Sequence, residues 1–185
     1  EVVAIGRPEL DLTRPAEIHK ALEQARPDCV VNAAAYTAVD KAESEPELAM
    51  AINAAGAGAV AAAAAALRLP LVQISTDYVF DGALSRPWRE DDATGPLGVY
   101  GRSKLAGEQA VAAAGDNHAI LRTAWVHSPY GGNFVKTMLR LAESREELGI
   151  VADQLGTPTY APALADAVIA IARRLAAEPR DAGLR

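Results

Sequence analysis

Apolar residues along this chain alternate between short continuous runs and longer stretches with helical spacing. Val2–Ile5, Cys29–Asn32, Leu71–Ser75, Ala119–Arg122 and Leu148–Val151 are runs of strand length bounded by polar residues, Gly or Pro. Between them, apolar positions recurring every three or four residues predict helices near 14–26, 45–68, 98–114, 131–146 and 160–177. Strands alternating with helices in this way predict an α/β fold with a doubly wound parallel sheet. Thr13 ahead of Arg14-Pro15-Ala16-Glu17 reads as an N-cap, an early proline and a first-turn acid. Ala54–Ala66 is almost pure alanine. Alanine is the best helix former, so this stretch predicts a helix packed closely on the sheet rather than disorder. The segment from Asp81 to Pro96, with Pro87, Trp88 and the acids Glu90, Asp91 and Asp92, is a loop long enough to serve function. No internal repeat or linker divides the chain.

Composition narrows the picture. The 185 residues suffice for one domain with its own core. A net charge of −6 disfavours nucleic acid and anionic membranes as partners. No signal peptide and no uninterrupted apolar run of about 18 residues is visible, so no membrane span is expected. The single cysteine, Cys29, reads as a small hydrophobe in a reducing compartment, consistent with a cytoplasmic location. His19, His118 and His127 lack metal-ligand spacing, and no metal site is expected from them.

Two segments carry candidate chemistry. Ser75-Thr76-Asp77-Tyr78-Val79-Phe80-Asp81-Gly82 places hydroxyls at the carboxyl end of a strand, where open parallel sheets bind ligands. Tyr100-Gly101-Arg102-Ser103-Lys104 sets a phenol and an ammonium on one face of a helix. A free phenol has a pKa of about 10, and a nearby lysine charge is expected to draw it toward the working range. Spacing alone does not decide whether Ser75 or Thr76 serves the site.

With these two segments, Asn32–Glu43, Val99–Glu108, Arg122–Val126 and Asp153–Thr159 stand in an order that resembles the dTDP-4-dehydrorhamnose reductase family of extended short-chain dehydrogenases/reductases. The resemblance implies a Rossmann-like fold and one NAD(P)-binding domain over 1–185, with a substrate-binding region starting near 125–160. It implies reduction of the 4-keto group of dTDP-4-dehydro-6-deoxy-L-mannose to dTDP-L-rhamnose, with NADPH or NADH as hydride donor. Thr76, Tyr100 and Lys104 would be catalytic. Arg7, Asp11, Ala33, Ala34, Ala35 and Thr37, with Tyr100 and Lys104, would contact the cofactor, Arg7 suiting the 2′-phosphate of NADPH. Val39, Thr76, Tyr78 and Trp125 would line the dTDP-sugar pocket, and Asn53 would support a water. A homodimer and a magnesium ion remain open. The family's opening strand with its glycine-rich turn, and its carboxy-terminal part, have no counterpart in this chain. The expectation is a sheet incomplete at both ends and a polypeptide inactive by itself. Two alternatives stand beside the reductase: a nucleotide-sugar epimerase or dehydratase of the same superfamily, and a non-catalytic subunit resembling the regulatory partner of methionine adenosyltransferase.

Overall fold

The computed structural model describes residues 1–177. Three short strands, β1 (Val30–Asn32), β2 (Leu71–Thr76) and β3 (His118–Thr123), form a parallel sheet in the order β1-β2-β3. The register places Asn32 opposite Gln73 and Ser75 opposite Arg122. Parallel neighbours need crossovers, and helices supply them. α1 (Pro15–Ala25) precedes β1, and α2 (Val39–Ala42), α3 (Pro46–Met50) and α4 (Ala57–Ala66) lead from β1 to β2. α5 (Val99–Ala114) joins β2 to β3. A second, two-stranded parallel sheet pairs β4 (Val126–His127) with β5 (Thr159–Tyr160). α6 (Phe134–Ala142) lies between them in sequence, and α7 (Ala161–Ala177) follows.

Helices cover both faces of the main sheet, as its continuous apolar strands require. On one face Ile18 and Leu22 of α1, Val60, Ala61 and Ala64 of α4 and Val111 of α5 close over Val30 and Leu71. On the other, Val168, Ile171 and Leu175 of α7 close over Val72 and Ala119. Ile18 and Val72 are fully buried, each contributing about 1.5–3 kcal/mol of transfer free energy. The result is the doubly wound α/β sheet that the alternation of apolar runs predicts.

Several expectations change. Val2–Ile5 and Leu148–Val151 are not strands. Neither finds a neighbouring ladder among the described residues, and Val2, Val3, Ile150 and Val151 are exposed. Apolar content marks a strand only when another strand receives its amides. The helix expected near 131–146 is confined to Phe134–Ala142, started by Asn133, whose side chain accepts the Lys136 amide at 3.1 Å. Thr13 does not cap α1. Both its amide and its hydroxyl donate to Asp11 Oδ1 at 2.9 Å, and Arg14 occupies the cap position. Finally, Pro46–Ala66 is long and apolar enough, by length and composition, to cross a membrane. Half of it is buried inside the fold, and α4 lies against α1 and α5, so its alanines serve close packing.

Candidate active site

β2 delivers the first hydroxyl. Thr76 ends the strand, 5% exposed, and starts a 3-10 turn over Asp77–Val79. Its Oγ1 accepts the Tyr78 amide at 3.2 Å and donates to Asp77 Oδ1 at 3.1 Å. Its single proton is thus engaged, and the hydroxyl must turn to serve a substrate. Burial pushes the Asp77 carboxyl above the usual range, with the Thr76 hydroxyl opposing.

α5 delivers the phenol and the ammonium. Its inward face reads Tyr100/Gly101, Ser103/Lys104, Gly107/Glu108, Val111, a repeat of three and four residues. Two glycines permit the close approach. A Cβ on Gly101 would collide with the Tyr78 carbonyl, and one on Gly107 with the Asn53 carbonyl. Tyr100 therefore lies beside the β2 end, its ring edge-on to Tyr78 with centroids 5.6 Å apart. Lys104, 5% exposed, donates from Nζ to the Ile74 carbonyl at 2.8 Å.

The electrostatics correct one expectation. Lys104 does not draw the Tyr100 phenol down: burial pushes it above its ordinary value, the Thr76 hydroxyl opposes, and Asp77 and Tyr78 add to the rise. The phenol stays protonated at neutral pH, the state a proton donor needs. Burial lowers Lys104 to about 8, opposed by the Glu108 carboxylate. Desolvation penalises whichever form is charged, so one environment moves the two groups in opposite directions.

Asn53 is placed by a π-helical segment, Ala51–Gly56, inserted between α3 and α4. Its Oδ1 accepts the Tyr36 amide at 2.8 Å, and its Nδ2 donates to the Tyr36 carbonyl and to Ser103 Oγ. Ser103 passes the chain on to the Tyr100 carbonyl at 2.7 Å. This side chain binds the loop after β1 to α5.

That loop leaves the sheet at the same edge. Asn32 Nδ2 donates across the register to Gln73 at 2.8 Å, and its side-chain Oδ1 accepts the Ala34 amide. Ala33, Ala34 and Thr37 are exposed and Ala35 partly so. Among the described residues, Arg7, Asp11, Val39 and Trp125 share no hydrogen bond or ring contact with Thr76, Tyr100 or Lys104. The amide and hydroxyl of Thr13 hold the Asp11 carboxyl below its usual range, with smaller contributions from the Arg7 and Arg14 charges. Trp125 is 48% exposed with φ at +45°, an uncommon backbone for a bulky residue. Its indole lies so close over Gly156 that a Cβ there would sit 2.7 Å from the ring. No cluster of three or more His, Cys, Asp or Glu side chains that could hold a metal ion occurs among the described residues.

Sequence reasoning missed four supports of this site: Glu43, Ser103, Glu108 and Arg122. Glu43 Oε1 accepts the Val99 amide at 2.7 Å and so caps α5 from the end of α2. Ser103 and Glu108 share a face with Tyr100 and Lys104 at helical spacing, and that periodicity was the available signal. Nothing local announces Glu43.

Known proteins resemble this chain in sequence and in fold. A reductase for dTDP-4-dehydrorhamnose from Sinorhizobium fredii is 57% identical over 175 residues, covering 95% of this chain and 59% of the relative. The enzyme of the same name from Escherichia coli is 50% identical over 174 residues, covering 94% and 58%. The chain thus spans about three-fifths of the length of these relatives. Among solved structures, the Bacillus anthracis dTDP-4-dehydrorhamnose reductase in complex with NADP superposes with a TM-score of 0.89 at 41% identity, over 94% of this chain and 62% of that one. The Clostridium acetobutylicum structure gives 0.90 at 43%, with the same coverages. The family model described as RmlD substrate binding domain matches residues 1–184, and the chain belongs to that family.

Proposed function

We propose that this chain carries the reacting groups of an NADPH-dependent reductase that converts the 4-keto group of dTDP-4-dehydro-6-deoxy-L-mannose to the alcohol of dTDP-L-rhamnose. The observation that supports this reading best is the meeting of a protonated Tyr100 with Thr76 and Lys104 at the β2 carboxyl end. The relatives' names supply the substrate, and the NADP complex of the B. anthracis structure supplies the cofactor class.

The residues fit such a cofactor. Lys104 spends one of its three donors on Ile74, leaving two for ribose hydroxyls. Ala33, Ala34, Ala35 and Thr37 offer a small-residue surface beside it, and Arg7 with Asp11 would meet the adenosine end. NADPH, when bound, supplies the hydride. Thr76 turns from Asp77 to hold the ketone oxygen, and Tyr100 gives that oxygen its proton, leaving a phenolate that solvent reprotonates. Val39, Tyr78 and Trp125 would frame the sugar nucleotide, with the substrate region beginning near 125–160, where the small β4–β5 sheet stands apart from the main one. Such a reaction suits a cytoplasmic enzyme.

Product analysis tests the proposal. The protein carrying this chain, given NADPH and the 4-keto nucleotide sugar, should yield the 4-hydroxy sugar and oxidised cofactor in equal amounts. Epimerised or dehydrated sugar without net NADPH loss would favour the sister enzymes, and no conversion with retained binding would favour a regulatory subunit.

A further inference from the structure

Three elements meet at one buried carboxylate. Glu108 of α5 is 6% exposed and accepts the Ser75 hydroxyl at 2.5 Å. Arg122 of β3, Ser75's register partner, grips the same carboxylate from two nitrogens, Nη2 to Oε2 at 2.7 Å and Nε to Oε1 at 3.0 Å. The guanidinium does not stop there. Its Nη1 donates to the Glu90 carbonyl at 3.2 Å, and its carbon lies 4.9 Å above the Phe80 ring. Phe80 is stacked on Trp88, centroids 4.4 Å apart and planes 7° from parallel. The 81–96 loop, braced within itself by the Arg86–Asp92 fork, is thereby fastened to the sheet through Arg122.

We infer that Glu108 and Arg122 form a positioning pair for the site: the carboxylate fixes α5 to the ends of β2 and β3, so Tyr100 and Lys104 face Thr76, and the guanidinium ties the 81–96 loop to the same point. This rests on the reductase reading of Tyr100, Lys104 and Thr76. Glu108 is one helical turn past Lys104, and Ser75 directly precedes Thr76, so a shift of the carboxylate displaces both the helix and the strand of the site. A fork of two parallel hydrogen bonds restricts angle as well as distance, which a lysine in place of Arg122 could not do. Glu108 is buried and Arg122 half-buried, so the gain from the pair lies in geometry rather than in net stability. Glu108 is also the one carboxylate that opposes the desolvation of the Lys104 ammonium, while Asp77 and Tyr78 act on Tyr100 and Arg122 faces Glu108.

The test needs no turnover. Lysine carrying 13C at Cε reports the titration of each of the four lysines in the 185-residue chain. In Glu108→Gln, Lys104 should titrate lower by about 1 pH unit, having lost its one supporting charge. Arg122→Lys, which keeps the charge and loses the fork, should leave Lys104 within a few tenths while amides of the 81–96 loop exchange at least tenfold faster. Should Glu108→Gln not fold, the double change Glu108→Gln/Arg122→Met removes the pair without stranding a buried charge, and amides of the 81–96 loop should again exchange at least tenfold faster. An unmoved Lys104 in folded Glu108→Gln, or an unchanged loop in Arg122→Lys or in the double variant, overturns the inference whatever the reductase assay gives.

Discussion

Lys104 has the more testable charge of the two titratable groups proposed to take part in the reaction. Its ammonium is lost as pH rises through about 8. The free enzyme's kcat/KM should therefore fall above that pH, well before the Tyr100 phenol ionises. A descending limb only above pH 10 would contradict the burial argument. Stability moves the other way. Between about 8 and the unfolded value of 10.5, the unfolded chain holds more protons at this position than the folded one, so the fold gains stability as pH rises through that window. The gain should disappear in Lys104→Met, measured by urea unfolding at pH 8 and pH 10. At the surface, Arg7 is the candidate that distinguishes the two cofactors. Arg7→Ala should weaken NADPH binding by about 1.5–3 kcal/mol and leave NADH unchanged, as calorimetry would show. Equal losses for both would remove Arg7 from the 2′-phosphate. Thr76, Tyr100 and Lys104 could be singled out in the sequence because each stands at a strand end or on a helix face. Their charge states were not, because desolvation depends on how much chain closes over them.

α5 acts as the ruler of the site, and its register depends on two contacts that the linear pattern hides. The first is the approach of Gly107 to the Asn53 carbonyl. Gly107→Ala would gain about 1 kcal/mol of helix propensity. The added methyl meets backbone that cannot turn away, at a cost of about 1–3 kcal/mol, so net destabilisation in thermal unfolding is expected. The second is the Glu43 cap. Glu43→Ala leaves the Val99 amide without its acceptor and removes a negative charge from the helix amino end, costing about 0.5–1 kcal/mol. Full retention of stability in both variants would show that α5 is held by its apolar face alone. The helices 15–25, 99–114 and 161–177 were readable within a residue or two, since each has a polar side and a stop signal. The π segment at Ala51–Gly56 was not, because an inserted residue leaves no mark in local composition. Val2–Ile5 and Leu148–Val151 misled for the opposite reason: their composition suits strands, but pairing belongs to the partner as much as to the run.

On the scale of the whole molecule, parallel strands bring distant segments to one edge. Residues near 32–37, 76–78, 100–104 and 122–125 follow or flank separate strands, and only the sheet unites them. The motif order made that edge readable in advance. The bonds that set its geometry, from Glu108 to Ser75 and Arg122 and from Asn53 to Tyr36 and Ser103, span 14 to 50 residues and emerge only on folding. Together they hold a neutral phenol where a ketone oxygen would be protonated, and this role of Tyr100 is what the reductase reading depends on. The most direct measurement compares wild type with Tyr100→Phe in the protein carrying this chain, following NADPH loss and sugar product together with NADPH affinity. Removal of the proton donor should lower turnover by about 10²–10⁴ while NADPH affinity stays within a few-fold. Near-normal turnover in the Phe variant would contradict it.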